Sequence, residues 1–250
     1  MEAKKGKWDA SHRSWPLPKL PWTMTQTWND LLFAHYPIDI KVLREIVPKA
    51  LPLDTYNGKG WIGIVPFHMT NIRLRGTPRV PGTDSFAELN VRTYVIINGK
   101  PGVFFFSLDA ENLLAVKVAQ TVYRLPYMHA EMNVSKSESF IEYKSKRRQG
   151  VDARLECRYR PTSEIFYAER GSFEEWLTER YCLYTLSKKG DPLRCDILHP
   201  QWPLQQAEAE FQVNTMLSEQ GIQVEDNLPI LHFSKSIEVR MWPLVSAMND

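Results

Sequence analysis

A mainly β domain of the α+β class, an antiparallel sheet system closed on itself with about three short helices, is what this sequence predicts. Three observations carry the prediction: repeated period-2 alternation, an Asn-Gly dipeptide between two β-rich runs, and only three stretches with helix-start signals. Alternation marks strands with one packed and one solvated face. Closing such a sheet removes exposed edges and leaves an interior that can hold one small ligand.

Residues 1–21 are polar and then proline-studded (Pro16, Pro18, Pro21), and read as an extended lead-in. From 22 to 250 no Gly/Ser linker, low-complexity run or internal repeat divides the chain, which predicts a single domain. Trp61–Met69 is apolar on both faces, as expected of a strand covered on both sides. Val91, Thr93 and Val95 alternate with Arg92, Tyr94 and Ile96; Asn98-Gly99 then turns the chain into Val103–Leu108, because both residues tolerate positive φ. Further alternating runs start at Ala130, Ala153, Ala207 and Ile237.

The first helix is capped by Asp39, carries Ile40, Leu43, Ile46 and Val47, and stops at Pro48. A second is expected after Asp109, with Leu114, Ala115, Val118, Ala119 and Val122 on one side and Pro126 beyond its end. The third has capping-box spacing, Ser172 with Glu175.

The composition is globular: 43% hydrophobic and 24% charged residues among 250 exclude extensive disorder. Lys+Arg 31 against Asp+Glu 29 is too balanced for a chain that lives on nucleic acid or acidic lipid. Lys144, Lys146, Arg147 and Arg148, then Arg154, Arg158 and Arg160, could bind phosphates, but the last three fall on the polar face of an alternating strand, interrupted by Glu156. Cys157, Cys182 and Cys195 cannot all pair and are read as buried thiols. The N-terminus lacks an apolar signal core and every apolar run is far shorter than a membrane span, so a cytoplasmic protein with no membrane partner is expected. The six histidines are scattered singly without ligand spacing, and no P-loop, dinucleotide fingerprint or nucleophile elbow is present; neither a metal nor a cofactor is expected.

Chemistry concentrates at a few side chains. Glu88 enters a strand where a side chain can point into the mouth of a closed sheet, and a carboxyl facing an apolar interior becomes a usable acid or base. The bland alternative is an exposed loop glutamate. Tyr127, His129 and Glu131 share one strand face, functional if it lines the interior and otherwise solvated. Lys117 flanks the apolar stripe of the second helix, where a snorkelling lysine is the ordinary reading. Glu88 and Tyr127 are the catalytic candidates; Arg92, His129, Glu131 and Lys117 are the ligand-binding ones.

Several long segments in one order resemble the YqjF-like family of unknown function: Glu88–Val95, Tyr123–Tyr127, Leu177–Tyr184, His199–Gln205 and Leu231–Phe233. That family is similar to acetoacetate decarboxylases, whose fold is a β-barrel-like cone around a small oxo-acid site. Leu43–Leu51 resembles their helix ending in V-P-x-x-L, and Phe86-Ala87-Glu88 falls on their aromatic-x-Glu with the active-site glutamate. Leu125-Pro126-Tyr127-Met128 falls where they carry aromatic-Pro-Lys-Lys, the first lysine being the Schiff-base nucleophile. Asn29 stands roughly where their substrate-carboxylate arginine is expected. The resemblance thus implies the fold and a small-molecule cavity, with Glu88 retained and both lysines replaced. A phenol cannot form an imine, so acetoacetate decarboxylation is not expected. Two functions lead: a small-molecule sensor or carrier, its ligand an oxo acid, and an imine-independent lyase, hydratase or isomerase using Glu88 with Tyr127 and His129 assisting; a third, a protein-interaction or nucleic-acid module, needs the basic residues of 144–160 to form one exposed patch beside aromatic platforms.

Overall fold

The computed structural model describes residues 8–78, 85–113, 116, 121, 123–222 and 228–248. In chain order its elements are β1 (Met24–Ile38), α1 (Ile40–Ile46), β2 (Gly60–Leu74), β3 (Ser85–Ile97), β4 (Lys100–Ala110), β5 (Tyr127–Lys136), β6 (Ile141–Arg147), β7 (Arg154–Pro161), α2 (Phe173–Thr178), β8 (Cys182–Leu186), β9 (Pro192–Leu198), β10 (Leu204–Asn214) and β11 (Ile230–Ser246). A 3₁₀ turn, Ser218–Gln220, precedes β11.

All 11 strands join one sheet in the order β1-β2-β3-β4-β5-β6-β7-β10-β11-β9-β8, with β1 also paired to β11 and β4 to β8. Two closed circuits result. One runs β1-β2-β3-β4-β8-β9-β11 and back to β1; the other leaves β4 through β5, β6, β7 and β10 before returning through β11. The pairings are antiparallel except where β4 meets β5 and β8.

The circuits share a wall, and the alternation of its strands serves two cores. In β1, Leu31 and Phe33 face one core while Leu32, Ala34 and Tyr36 face the other; in β2, Val65, Phe67 and Met69 oppose Ile62 and Ile64. That is why Trp61–Met69 is apolar on both faces. The second core closes against Tyr143 of β6 and Leu155, Cys157 and Tyr159 of β7. β3 corrects the expectation of a solvated face: Arg92 and Tyr94 are as buried as Val91 and Val95. Their polar face looks inward, not out.

Asn98 and Gly99 both take positive φ, 51° and 71°, and make the β3–β4 hairpin with a two-residue turn. Further along, Val91 pairs with Ser107 and Arg92 with Phe105, so Phe106 is an extra residue in β4. The bulge shifts the phase of the strand, letting Phe105 and Leu108 both face the first core.

Asp39 caps α1, its carboxylate accepting from the Lys41 amide, and Ser172 caps α2, accepting from the Glu175 amide. The hydroxyl of Ser172 satisfies one otherwise orphaned donor, so Ser172→Ala should lower stability by about 1 kcal/mol. Urea unfolding with unchanged slope checks this; a shift of the midpoint upward contradicts it. The helix expected after Asp109 starts later. Asp109 lies inside β4, and the Val116 amide bonds the Asn112 carbonyl instead. Leu113, Val116 and Thr121 are helical, while Leu114, Ala115, Lys117, Val118, Ala119 and Val122 lie outside the described residues. No described helix is long and apolar enough to cross a membrane.

Residues 8–22 dock on the sheet through specific partners. Arg13 and the Trp15 indole both donate to Asp196, and Leu20 accepts from the Trp242 indole. The three cysteines are free and buried.

Candidate functional site

Inside the first circuit, a cavity of about 60 Å³ opens between β3, β4 and the segment from α2 to β8. That is room for a few waters or one small organic acid. β3 supplies the polar wall: Glu88, Asn90 and Arg92 sit two residues apart, so the pleat aims all three the same way. Phe67, Met69, Phe105, Leu108 and Ile197 supply apolar surface around them.

Glu88 is 3% exposed. Burial pushes its carboxyl up to about 8, against the opposing hydrogen bond from Tyr127. The Tyr127 hydroxyl donates to Glu88 Oε2 at 2.8 Å. Burial and the neighbouring Glu88 in turn raise the phenol well above its ordinary value, so it remains a donor. From the opposite core, the Tyr143 hydroxyl donates to the backbone carbonyl of Glu88 at 2.7 Å and fixes the strand behind the site.

Two guanidinium groups reach the same cavity. Arg92 lies 5.3 Å over the Phe33 ring, forms no ion pair among the described residues, and leaves its Nε without a partner. Arg180 lies against the rings of Tyr94 and Trp176, at 4.8 and 4.5 Å, the two rings being 4.8 Å from each other. It donates to the Trp176 carbonyl and pairs with Asp54, which leaves Nη2 without a partner among the described residues. Among the described residues the Asn90 Oδ1 and Trp202 Nε1 have no partner either. Behind Trp202, the Glu179 carboxylate holds the Trp202 amide at 2.9 Å; burial raises that carboxyl to about 7. His199, also lining the cavity, is pushed down to about 4 by burial and stands neutral.

Glu88, Tyr127 and Arg92 are therefore brought together, and the reading of Glu88 as a loop glutamate is set aside by its burial. His129 and Glu131 are not part of the lining. β5 is paired to β4 only over Tyr127–His129 and then runs outward, where Glu131 pairs with Arg148 on the surface. The expected assistance of Glu88 by His129 has no geometric basis. Lys117 lies outside the described residues. Asn29 does not line the cavity either; its amide donates to Thr70 Oγ1 at 2.9 Å. Arg180, Asn90, His199 and Trp202 went unread as site residues. Arg180 carried one usable signal, a cation placed just after a short aromatic helix.

The basic run does not form an open cationic face. Arg158 and Arg160 pair across strands with Glu210 and Glu208, Lys144 with Glu156, and Arg154 with Asp152. Arg147 corrects the surface reading altogether: it is buried and grips Asp109 through two nitrogens. Among the described residues no group of His, Cys, Asp or Glu is arranged to hold a metal ion.

Residues 25–238 match the model of DUF2071, a family described as an uncharacterized conserved protein. The chain is 49% identical over 223 residues to the uncharacterized protein YqjF of Bacillus subtilis (strain 168), covering 89% of this chain and 92% of that one. Among solved structures it is similar to the enduracididine biosynthesis enzyme MppR complexed with pyruvate, with a TM-score of 0.61 at 9% identity over 92% of each chain. It is similar also to acetoacetate decarboxylase from Legionella pneumophila, with a TM-score of 0.58 at 15% identity over 93% of each. An acetoacetate decarboxylase-like enzyme from Sphingomonas wittichii RW1 gives 0.60 at 12% identity, over 91% of this chain and 93% of that one. These likenesses show a mainly β fold like that of acetoacetate decarboxylase, as expected, with two α-helices among the described residues where about three were expected.

Proposed function

The chain belongs to the DUF2071 family, and from the site this member carries we propose that it binds a small oxo acid without forming an imine. The observation that carries the reading is a partly apolar cavity whose polar wall combines a guanidinium, Arg92, without an ion pair among the described residues, with a protonated carboxyl hydrogen-bonded to a phenol. A buried cation without an anion is costly, and a ligand carboxylate removes that cost. With Glu88 protonated at neutral pH, the uncompensated charge in the wall, among the described residues, is positive. The carbonyl oxygen of the ligand then faces the protonated Glu88 carboxyl, the donor, whose other oxygen accepts from the Tyr127 hydroxyl. MppR, on the same fold, is complexed with pyruvate. The described lining contributes its cations as guanidinium groups, which do not attack ketones.

Pyruvate and 2-oxobutyrate should raise the melting temperature, and Arg92→Met should weaken their binding at least ten-fold, about 1.4 kcal/mol. An equal response to acetone, or none to any oxo acid, overturns the reading. Covalent capture of the ketone by borohydride overturns its imine-free part.

A second reading is favoured by Glu88 itself: a carboxyl near pH 8 is suited to moving a proton at the carbon beside the carbonyl. At pH 7 roughly one in ten copies carries the carboxylate that abstracts it. Loss of the ligand's C3 protons to D2O, abolished in Glu88→Gln with binding retained, is the expected sign of turnover. Exchange that persists in that variant removes Glu88 as the base.

A further inference from the structure

The polar groups that line the cavity divide unevenly between donors and acceptors. Arg92 Nε, Arg180 Nη2 and Trp202 Nε1 are buried donors with no partner among the described residues. A plain oxo acid suits them, because carboxylate and carbonyl oxygens only accept. Asn90 does not fit that account. It lies on the same wall, 5% exposed, and its side-chain oxygen Oδ1 is a buried acceptor with no partner among the described residues.

Neighbouring polar side chains of the lining are engaged. Gln26 Oε1 accepts from the Trp28 indole at 2.8 Å, and Glu88 Oε2 accepts from the Tyr127 hydroxyl at 2.8 Å. The Thr178 hydroxyl donates to the Glu174 carbonyl, and both ring nitrogens of His199 are turned to backbone carbonyls, those of Pro200 and Arg180. A buried acceptor without a donor is destabilising, and leucine would fill the place of Asn90 free of that penalty. The unmet oxygen therefore calls for a donor on the ligand. Charge selects its kind: an ammonium group would meet Arg92, which has no ion pair among the described residues, whereas a hydroxyl donates without adding charge. Position selects its place: the pleat sets Asn90 beside Glu88 on the inward face of β3, so the donor lies next to the carbonyl that meets Glu88.

We propose that the ligand is a small hydroxy-oxo acid whose hydroxyl sits on the carbon beside the carbonyl, and that Asn90 Oδ1 accepts from that hydroxyl and sets the specificity. The inference rests on the oxo-acid reading above and narrows it. The carboxylate meets Arg92, the carbonyl meets Glu88, and the hydroxyl satisfies the acceptor that a plain oxo acid leaves unmet. A site built around such a hydroxyl discriminates strongly against an analogue lacking it, because the analogue leaves the protein's own polar group unpaired.

Calorimetry with 3-hydroxypyruvate and 2-oxobutyrate tests it, since these have the same number of non-hydrogen atoms and differ by a hydroxyl against a methyl. The hydroxy acid should bind at least ten-fold tighter to the wild-type protein. Asn90→Leu, which keeps much of the volume and removes the amide, should erase that advantage by weakening 3-hydroxypyruvate alone. Retained binding of 2-oxobutyrate in the variant shows its cavity to be intact, and the wild-type comparison decides the matter should the variant fail to fold. If 2-oxobutyrate binds the wild type as tightly as the hydroxy acid, if the preference survives in Asn90→Leu, or if that variant weakens both acids alike, the role of Asn90 is wrong while the oxo-acid reading stands. Binding of neither acid overturns both.

Discussion

Replacing Arg147 by methionine should cost the fold about 3–5 kcal/mol, among the largest single losses available to this protein. Arg147 of β6 reaches Asp109 at the end of β4 through Nε at 3.2 Å and Nη2 at 2.9 Å, and Glu219 of the 3₁₀ turn through Nη1 at 2.8 Å. Asp109 is fully buried, and its carboxyl already sits above the ordinary carboxylate range because burial outweighs the guanidinium. Methionine fills the stem but leaves that carboxylate without a cation, so it must ionise unaided or take a proton. The loss should therefore be largest at pH 7 and shrink toward pH 4, where protonation relieves the buried charge. The double variant Asp109→Leu with Arg147→Met should recover most of the stability, since it removes both charges together. Urea unfolding at the two pH values checks all three statements; a loss below about 1 kcal/mol in the single variant at pH 7 would mean that solvent reaches Asp109 after all.

The same pair shows what a sequence displays and what it hides. An aspartate between a β-rich run and a helical one looks like an N-cap, because capping and strand-end positions share polarity and place. Only the partner, 38 residues away, tells them apart. Period-2 alternation located β3, β5, β7, β10 and β11, while β2 stood out as apolar on both faces and β4 by the Asn98-Gly99 turn before it. It passed over β1, where Asp30 adopts φ 49° and the pairing with β2 shifts register. It also passed over β6, whose lysines and arginines read as a charged run.

The candidate site was half legible for a related reason. Glu88 and Tyr127 were marked by chemistry that is odd for their setting, and the fold brings them into contact. A polar face lining a cavity has the same period as a polar face meeting water. Arg92 with Tyr94 and His129 with Glu131 were therefore indistinguishable until the two circuits showed which faces are covered. Arg180 depends on a further step: α2 must lay Trp176 beside Tyr94 before the guanidinium can rest against both. That is tertiary information, absent from any local pattern.

Glu88→Gln should stabilise the protein at neutral pH, by on the order of 3 kcal/mol at pH 7, while disabling its chemistry. The sign follows from where the proton sits. In the unfolded chain Glu88 titrates near its ordinary value of 4.5; in the fold burial raises it to about 8. Below pH 4.5 both states hold the proton and the residue carries no penalty. Between 4.5 and 8 the unfolded chain has released its proton and the folded one has not, so stability falls as pH rises; above 8 the full cost of a buried carboxylate remains. Glutamine never ionises, and its amide oxygen still accepts from the Tyr127 hydroxyl, so the variant lacks this slope. Wild type and variant should be equally stable at pH 4 and diverge steadily up to pH 8, as seen in chemical denaturation across that range. Parallel profiles would show that Glu88 is solvated in the working protein. A carboxyl kept at such a cost is expected where a proton donor must face a ligand, since glutamine would otherwise hold the fold better. Calorimetry closes the argument: an oxo acid that accepts from protonated Glu88 should lose affinity above pH 8 in the wild type and hold it in Glu88→Gln, whose amide still donates.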